Sequence, residues 1–221
     1  MDDEACFDKI VEVYENKPAG LPLFCLAVTM QNHSGYFEDF DNFDVDVHAE
    51  DGDSRILDRY LSLMKLSDEA LEELIHYFEG QEEPTMVIFF GDHQPNDVVV
   101  EPVWKLNGKS GKNLSEEDAD KRYQVPYVIW ANYDIEEKQG EETSVNYLAG
   151  KILKEARVPL SAFLQLQQEY EAEIPVLSTQ RAIAADGTEL TEEQEETSAS
   201  LNAYRKMQYY RMYDQEDASV D

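Results

Sequence analysis

Two short stretches of this chain place residues that can do chemistry directly after apolar runs. In "TMVIFFGDHQPN", Thr85 to Asn96, an uncharged run ends in Gly91, Asp92 and His93; in "LPLFCLAVTMQNHSGY", Leu21 to Tyr36, a similar run ends in Asn32 and His33. Carboxylate plus imidazole is a mixed donor set that a hard or borderline divalent ion such as Mn²⁺ or Zn²⁺ accepts, and a glycine lets the backbone turn tightly beside such an ion. The bland alternative is that Asp92 caps a turn and His93 is exposed, and an Asp-His pair in isolation favours it.

Other candidates are fewer. Cys6 and Cys25 fit neither a CxxC nor a Cys/His zinc spacing, and Cys25, inside an apolar run, reads as a buried free thiol. The acidic stretch "FEDFDNFDVDVHAEDGD" lacks the glycine and glutamate spacing of an EF-hand. His48 in that stretch and His76 near the end of a long helix read as surface or helix-end residues. Trp130 falls in an apolar strand and reads as core, whereas Trp104 follows the Asp-His motif and could line a sugar or lipid site.

The elements that must position these residues can be traced along the chain. Phe7 to Tyr14 has helical spacing, and Leu21 to Met30 has the continuous apolar character of a strand buried on both faces of a parallel sheet. Ser54 to Phe78 reads as one helix with a stripe of Leu57, Leu61, Met64, Leu71, Ile75 and Phe78. Asp68 falls in the stripe, either as a polar tether to a neighbouring loop or as a sign that the helix restarts with Ser67 as its N-cap. Gly80 ends the helix, Thr85 to Phe90 is a second strand, and "QVPYVIWANYD" is a third. Lys105 to Arg122 between them is a polar excursion. Two helices follow, "SVNYLAGKILKEA" and "LSAFLQLQQEYEAEI", separated at Pro159; then two short strands joined at Asp186-Gly187, and a last helix over Leu201 to Tyr213. The fold class expected is therefore α/β: a mostly parallel sheet flanked by helices, with a small C-terminal antiparallel β plus helix subdomain. The core is expected over 1–157 and the subdomain over 158–221.

Composition narrows the partners. The 221 residues carry 18 Lys and Arg against 48 Asp and Glu, a formal charge of -30, which argues against nucleic acid. With 42% hydrophobic residues, thirteen Tyr and nine Phe, the chain is nonetheless too aromatic for an acidic disordered segment. It has no signal-peptide pattern at its start and no apolar stretch of membrane-spanning length.

Taken in order, "AVTMQNHSGY", "SDEALEELIHYF", "TMVIFFGDHQP" and "PYVIWANYD" resemble the sulfatase-like, alkaline-phosphatase superfamily, in particular its lipoteichoic acid synthase and phosphoglycerol transferase branch. "FGDH" and "NHSGY" are the specific parts. The resemblance implies a divalent metal, Mn²⁺ or Mg²⁺ foremost with Zn²⁺ or Ca²⁺ as alternatives, and a Thr nucleophile that takes a phosphoglycerol group from an anionic phospholipid headgroup or glycerol-phosphate polymer. By the match, Asp92 and His93 would be metal ligands and His33 would face the substrate phosphate. None of Thr29, Thr85, Thr143, Thr179, Thr188, Thr191 or Thr197 sits in a nucleophile context, so the nucleophile and remaining ligands are expected in an upstream half of the same domain. The chain then reads as the C-terminal portion of a transferase at the extracellular face of the cell membrane, with membrane spans further upstream, and inactive by itself. A sulfatase or phosphodiesterase that transfers to water, and a non-catalytic binding module with a degenerate site, are the alternatives.

Overall fold

The computed structural model describes residues 2–33, 35–38, 40–50, 54–178 and 180–213. They divide into two compact units, 1–133 and 134–221.

In the first unit the Asp2 carboxylate accepts the Ala5 amide (2.9 Å) and starts helix α1, Asp3–Glu15. Ser54 caps the 25-residue helix α2, Arg55–Glu79, and Gly80 closes it. Phe7 of α1 packs against Ala70, Leu74 and Phe78 of α2, and Val87, Phe89 and Trp130 join that cluster. Trp130 is thus core-packed, as its strand position suggested. Strand β1, Met86–Phe90, pairs with β2, Tyr127–Ala131, with Met86 opposite Ala131 and Phe90 opposite Tyr127. The Asn132 side chain ties this sheet to the end of α2, accepting the Thr85 amide and donating to the Phe78, Gln81 and Glu83 carbonyls. Between the strands lie helices α3, Asp97–Leu106, and α4, Glu116–Asp120, then a 3₁₀ turn, so the polar excursion is helical at its two ends with turns over 107–115 between them. Val99 of α3 packs with Leu57 and Tyr36 in a second cluster. The acidic stretch is pinned to α2: Ser62 accepts the Asp46 and Val47 amides, and Asp58 accepts the Ala49 amide.

The structure departs from four expectations. The strands that pair do so antiparallel, so among the described residues no parallel sheet is formed. Leu21 to Met30 is no strand: it runs unpaired, with Phe24 88%, Leu26 72% and Val28 75% exposed, because no neighbouring strand covers it. Cys25, expected to be buried there, is exposed for the same reason. Finally, Asp68 faces solvent, and the polar residues that α2 buries are Arg59, Ser62 and, one position before Asp68 in mid-helix, Ser67, 2% exposed.

The second unit contains α5, Val145–Glu155, and α6, Ala162–Glu173, packed together, then β3, Val176–Leu177, and β4, Ala182–Ile183, paired antiparallel. Asp186-Gly187 turns the chain from β4 back to a bridge between Ile183 and Glu189 rather than joining β3 to β4. Gly187 has φ +83°, a conformation that costs glycine little. Helices α7, Glu192–Thr197, and α8, Ala199–Tyr213, end the described chain. Buried Tyr147 and Tyr204 fill the interior, and Gln167 Nε2 donates to the Tyr204 hydroxyl at 3.0 Å.

Candidate functional site

The Asp92-His93 pair stands where β1 ends, and the local sequence explains its presentation. Gly91 donates its amide to the Pro126 carbonyl (3.2 Å), and a Cβ there would lie 3.1 Å from Val125 Cβ, so the glycine permits close approach of the chain entering β2. Downstream, Arg122 donates to the Pro95 carbonyl and to Asp97 Oδ1, both at 2.8 Å, while its guanidinium lies over the Trp104 ring. Gln94 Nε2 donates to the Gln124 carbonyl. The loop is therefore held on both sides while the Asp92 and His93 side chains project outward, Asp92 79% and His93 66% exposed. Trp104, placed beside a possible sugar or lipid site by sequence, packs against Arg122 and Gly111.

Their geometry fits a shared cation. His93 Nδ1 lies 2.9 Å from the Gln94 carbonyl, a contact in which Nδ1 donates, and the other ring nitrogen, Nε2, faces Asp92. That Nε2 is 3.6 Å from Asp92 Oδ2. Two ligands at ~2.1 Å from one tetrahedral ion are about 3.4 Å apart, so little movement would bring both onto it. Among the described residues no group of three or more His, Cys, Asp or Glu could hold a metal ion.

His33 is placed by a buried polar network. Ser67 Oγ donates to Asp3 Oδ2 (2.6 Å) and accepts from Gln31 Nε2 (3.0 Å) and Asn32 Nδ2 (2.8 Å). Gln31 also accepts the Asp3 amide and donates to the Leu63 carbonyl, and the Tyr36 hydroxyl donates to the Asn32 carbonyl at 2.6 Å. Burial pushes the Tyr36 hydroxyl pKa up, so it remains a neutral donor. His33, exposed, hydrogen bonds through its amide to the Met30 carbonyl and borders a cavity of about 690 Å³ with Tyr36, Phe40, Phe43 and Arg59. Asp92 and His93 are not part of that lining. Asp3, Gln31, Ser67 and Arg122 were missed as supports of the two motifs; the serine within an apolar helix stripe was the visible signal.

The sulfatase family model matches residues 1–158. The chain belongs to the sulfatase family. A putative cyclic beta-1,2-glucan modification protein of Rhizobium meliloti (strain 1021) is 25% identical over 199 residues, covering 87% of this chain and 31% of that protein. The solved phosphoglycerol transferase GacH of Streptococcus pyogenes, in complex with sn-glycerol-1-phosphate, superposes with a TM-score of 0.61 at 16% identity, covering 96% of this chain and 48% of that one. This likeness shows a shared fold. The chain spans about a third to a half of the length of these two proteins. No helix among the described residues is long and apolar enough to cross a membrane.

Proposed function

We propose that this chain is the metal- and phosphate-facing portion of a sulfatase-family phosphoglycerol transferase that moves the group from an anionic phospholipid headgroup, or a glycerol-phosphate polymer, to a glucan hydroxyl at the outer face of the cell membrane. The observation that carries the proposal is the Asp92-His93 pair, with Nε2 held 3.6 Å from a carboxylate oxygen. In this reading Asp92 Oδ2 and His93 Nε2 hold a divalent cation, Mn²⁺ or Mg²⁺ foremost. When bound, that cation supplies positive charge at the phosphoryl oxygens and lowers the pKa of a hydroxyl nucleophile. The nucleophile, a Thr by resemblance, belongs to the rest of the domain, which acts as this chain's partner. His33 donates a hydrogen bond to a phosphoryl oxygen, and the Ser67 network holds the turn that presents it.

The acceptor follows from the cavity beside His33. Asp2, Glu4, Glu69 and Glu73 line it, and Phe40 is exposed there. Carboxylates repel an anion but accept hydrogen bonds from sugar hydroxyls, and an aromatic face suits a sugar ring. The glucan named for the Rhizobium relative is a ligand of that class.

The test is calorimetric titration of sn-glycerol-1-phosphate into the longer protein that carries the whole domain, in Mn²⁺. His33→Ala should weaken binding by about tenfold or more, the loss of one hydrogen bond to a charged group. Unchanged affinity in that variant would remove His33 from the phosphate site.

A further inference from the structure

The excursion between β1 and β2 closes in the 3₁₀ turn Lys121–Tyr123, and that turn reaches the loop that carries Asp92 and His93. Arg122 Nη1 donates to the Pro95 carbonyl and Nη2 to Asp97 Oδ1, both at 2.8 Å, with the arginine side chain 25% exposed. Its guanidinium lies 5.8 Å from the centroid of the Trp104 ring. Gly111 packs on the same ring so closely that a Cβ there would stand 2.6 Å from Trp104 Cζ3. A planar fork that is bound at two acceptors and backed by an aromatic face has little freedom left. Two positions on, the Gln124 carbonyl accepts from Gln94 Nε2.

These contacts bear on His93 through the backbone. His93 Nδ1 donates to the Gln94 carbonyl at 2.9 Å. That carbonyl belongs to the Gln94–Pro95 peptide, which is planar; the ring of Pro95 sets its own φ and restricts the backbone of Gln94 before it. With the Pro95 carbonyl held by Arg122 and the Gln94 side chain held by Gln124, the direction of the Gln94 carbonyl is set from both sides. A carbonyl fixed there keeps the proton on Nδ1. In the neutral ring the lone pair then lies on Nε2, the atom 3.6 Å from Asp92 Oδ2.

We propose that Arg122 is a positioning residue that fixes the tautomer and direction of the His93 ring through the Gln94–Pro95 peptide. It acts by shape and not by charge, because a cation beside a metal site weakens the ion's binding whereas an anchor that orients a ligand strengthens it. Its bearing on the reaction rests on the metal reading given above, while the tautomer itself is read with no metal present. Trp104 and Gly111 then have a role too, as the backing of the guanidinium.

The test is nitrogen-15 NMR of the imidazole rings in the metal-free 221-residue chain at alkaline pH, where the rings are neutral, with His93→Gln to identify the His93 signals. Wild type should carry the His93 proton on Nδ1; a ring protonated on Nε2 overturns the proposal. Arg122→Ala should raise the ratio of the Nε2–H to the Nδ1–H form about fivefold, the loss of roughly one hydrogen bond, and should weaken Mn²⁺ binding followed by electron paramagnetic resonance about tenfold. Arg122→Lys keeps the charge and loses the fork, so it should behave as Arg122→Ala does. An unchanged ratio in Arg122→Ala overturns the proposal. So does a wild-type ratio in Arg122→Lys, or tighter Mn²⁺ binding by Arg122→Ala, since either would make the charge decisive. Lys109→Ala breaks the 2.6 Å ion pair to Asp118 in the same excursion and should leave the ratio as in wild type; an equal shift there would mean general loosening and also overturns it. If Arg122→Ala unfolds, Asp97→Ala, whose side chain is 70% exposed, removes one of the two anchors and should shift the ratio in the same direction; no shift again overturns the proposal. A ratio that responds to Arg122→Ala in a chain that binds no Mn²⁺ would uphold the positioning role and refute the metal reading alone.

Discussion

Replacing Ser67 by alanine should destabilise the first unit more than any surface change on the same helix. Ser67 is 2% exposed, and its hydroxyl makes three hydrogen bonds, to Asp3, Gln31 and Asn32. The bond to the Asp3 carboxylate is charge-assisted and contributes about 1.5–3 kcal/mol; the Asn32 amide adds roughly 1 kcal/mol, and Gln31 keeps its bond to the Leu63 carbonyl. The expected loss is therefore about 3 kcal/mol. At a urea dependence of ~2 kcal/mol per molar, the midpoint should fall by roughly 1.5 M. Tryptophan fluorescence reports this unit selectively, because Trp104 and Trp130 are the only tryptophans and both precede residue 134. The exposed neighbour supplies the control: Asp68→Ala should stay within about 0.5 kcal/mol. A Ser67→Ala chain that unfolds within that same margin of wild type would refute the network as the anchor of the His33 turn.

Three further outcomes are expected. Gly91→Ala would place a Cβ 3.1 Å from Val125 Cβ and should cost about 1–2 kcal/mol in urea unfolding, recovered in part by Val125→Ala; full stability of the single variant would contradict the close approach. The Ala49 amide, and then His48, hold the Asp58 carboxyl pKa below its ordinary value. Its contribution to stability is therefore present above the unfolded pKa of about 3.9 and lost as pH falls through the lower folded value, so Asp58→Asn should flatten the acid limb of a stability profile below about pH 4; an identical limb would discount the Ala49 contact. With two of its ligands at one loop, the chain alone should bind Mn²⁺ weakly, and His93→Ala should abolish what electron paramagnetic resonance detects; retained binding would place the ion elsewhere.

How much of this was legible in sequence depended on whether the signal was local. Helix α2 was readable because its caps, Ser54 and Gly80, and its apolar stripe lie within the element itself. The Asp92-His93 loop was readable as a motif because the glycine, the carboxylate and the imidazole are adjacent. The antiparallel pairing of β1 with β2 was not readable, since an apolar run of five residues looks the same in either direction and its partner lies some forty residues on. The apolar character of Leu21 to Met30 suggested a buried strand, and the run is neither a strand nor buried, because pairing and burial depend on neighbours that no residue of the run encodes. Asp68 drew attention because charge is conspicuous, while Ser67, a small hydroxyl one position away, makes the buried contacts.

The central claim is that Asp92 and His93 hold the cation of a phosphoglycerol transfer site. The most direct measurement follows, by phosphorus NMR, the longer protein with phosphatidylglycerol vesicles, a beta-1,2-glucan and Mn²⁺. Wild type should accumulate a phosphodiester on the glucan, Asp92→Ala and His93→Ala should each reduce it to background, and the 221-residue chain alone should give none. Wild-type transfer by Asp92→Ala, or release of free glycerol phosphate to water in place of glucan modification, would contradict the account.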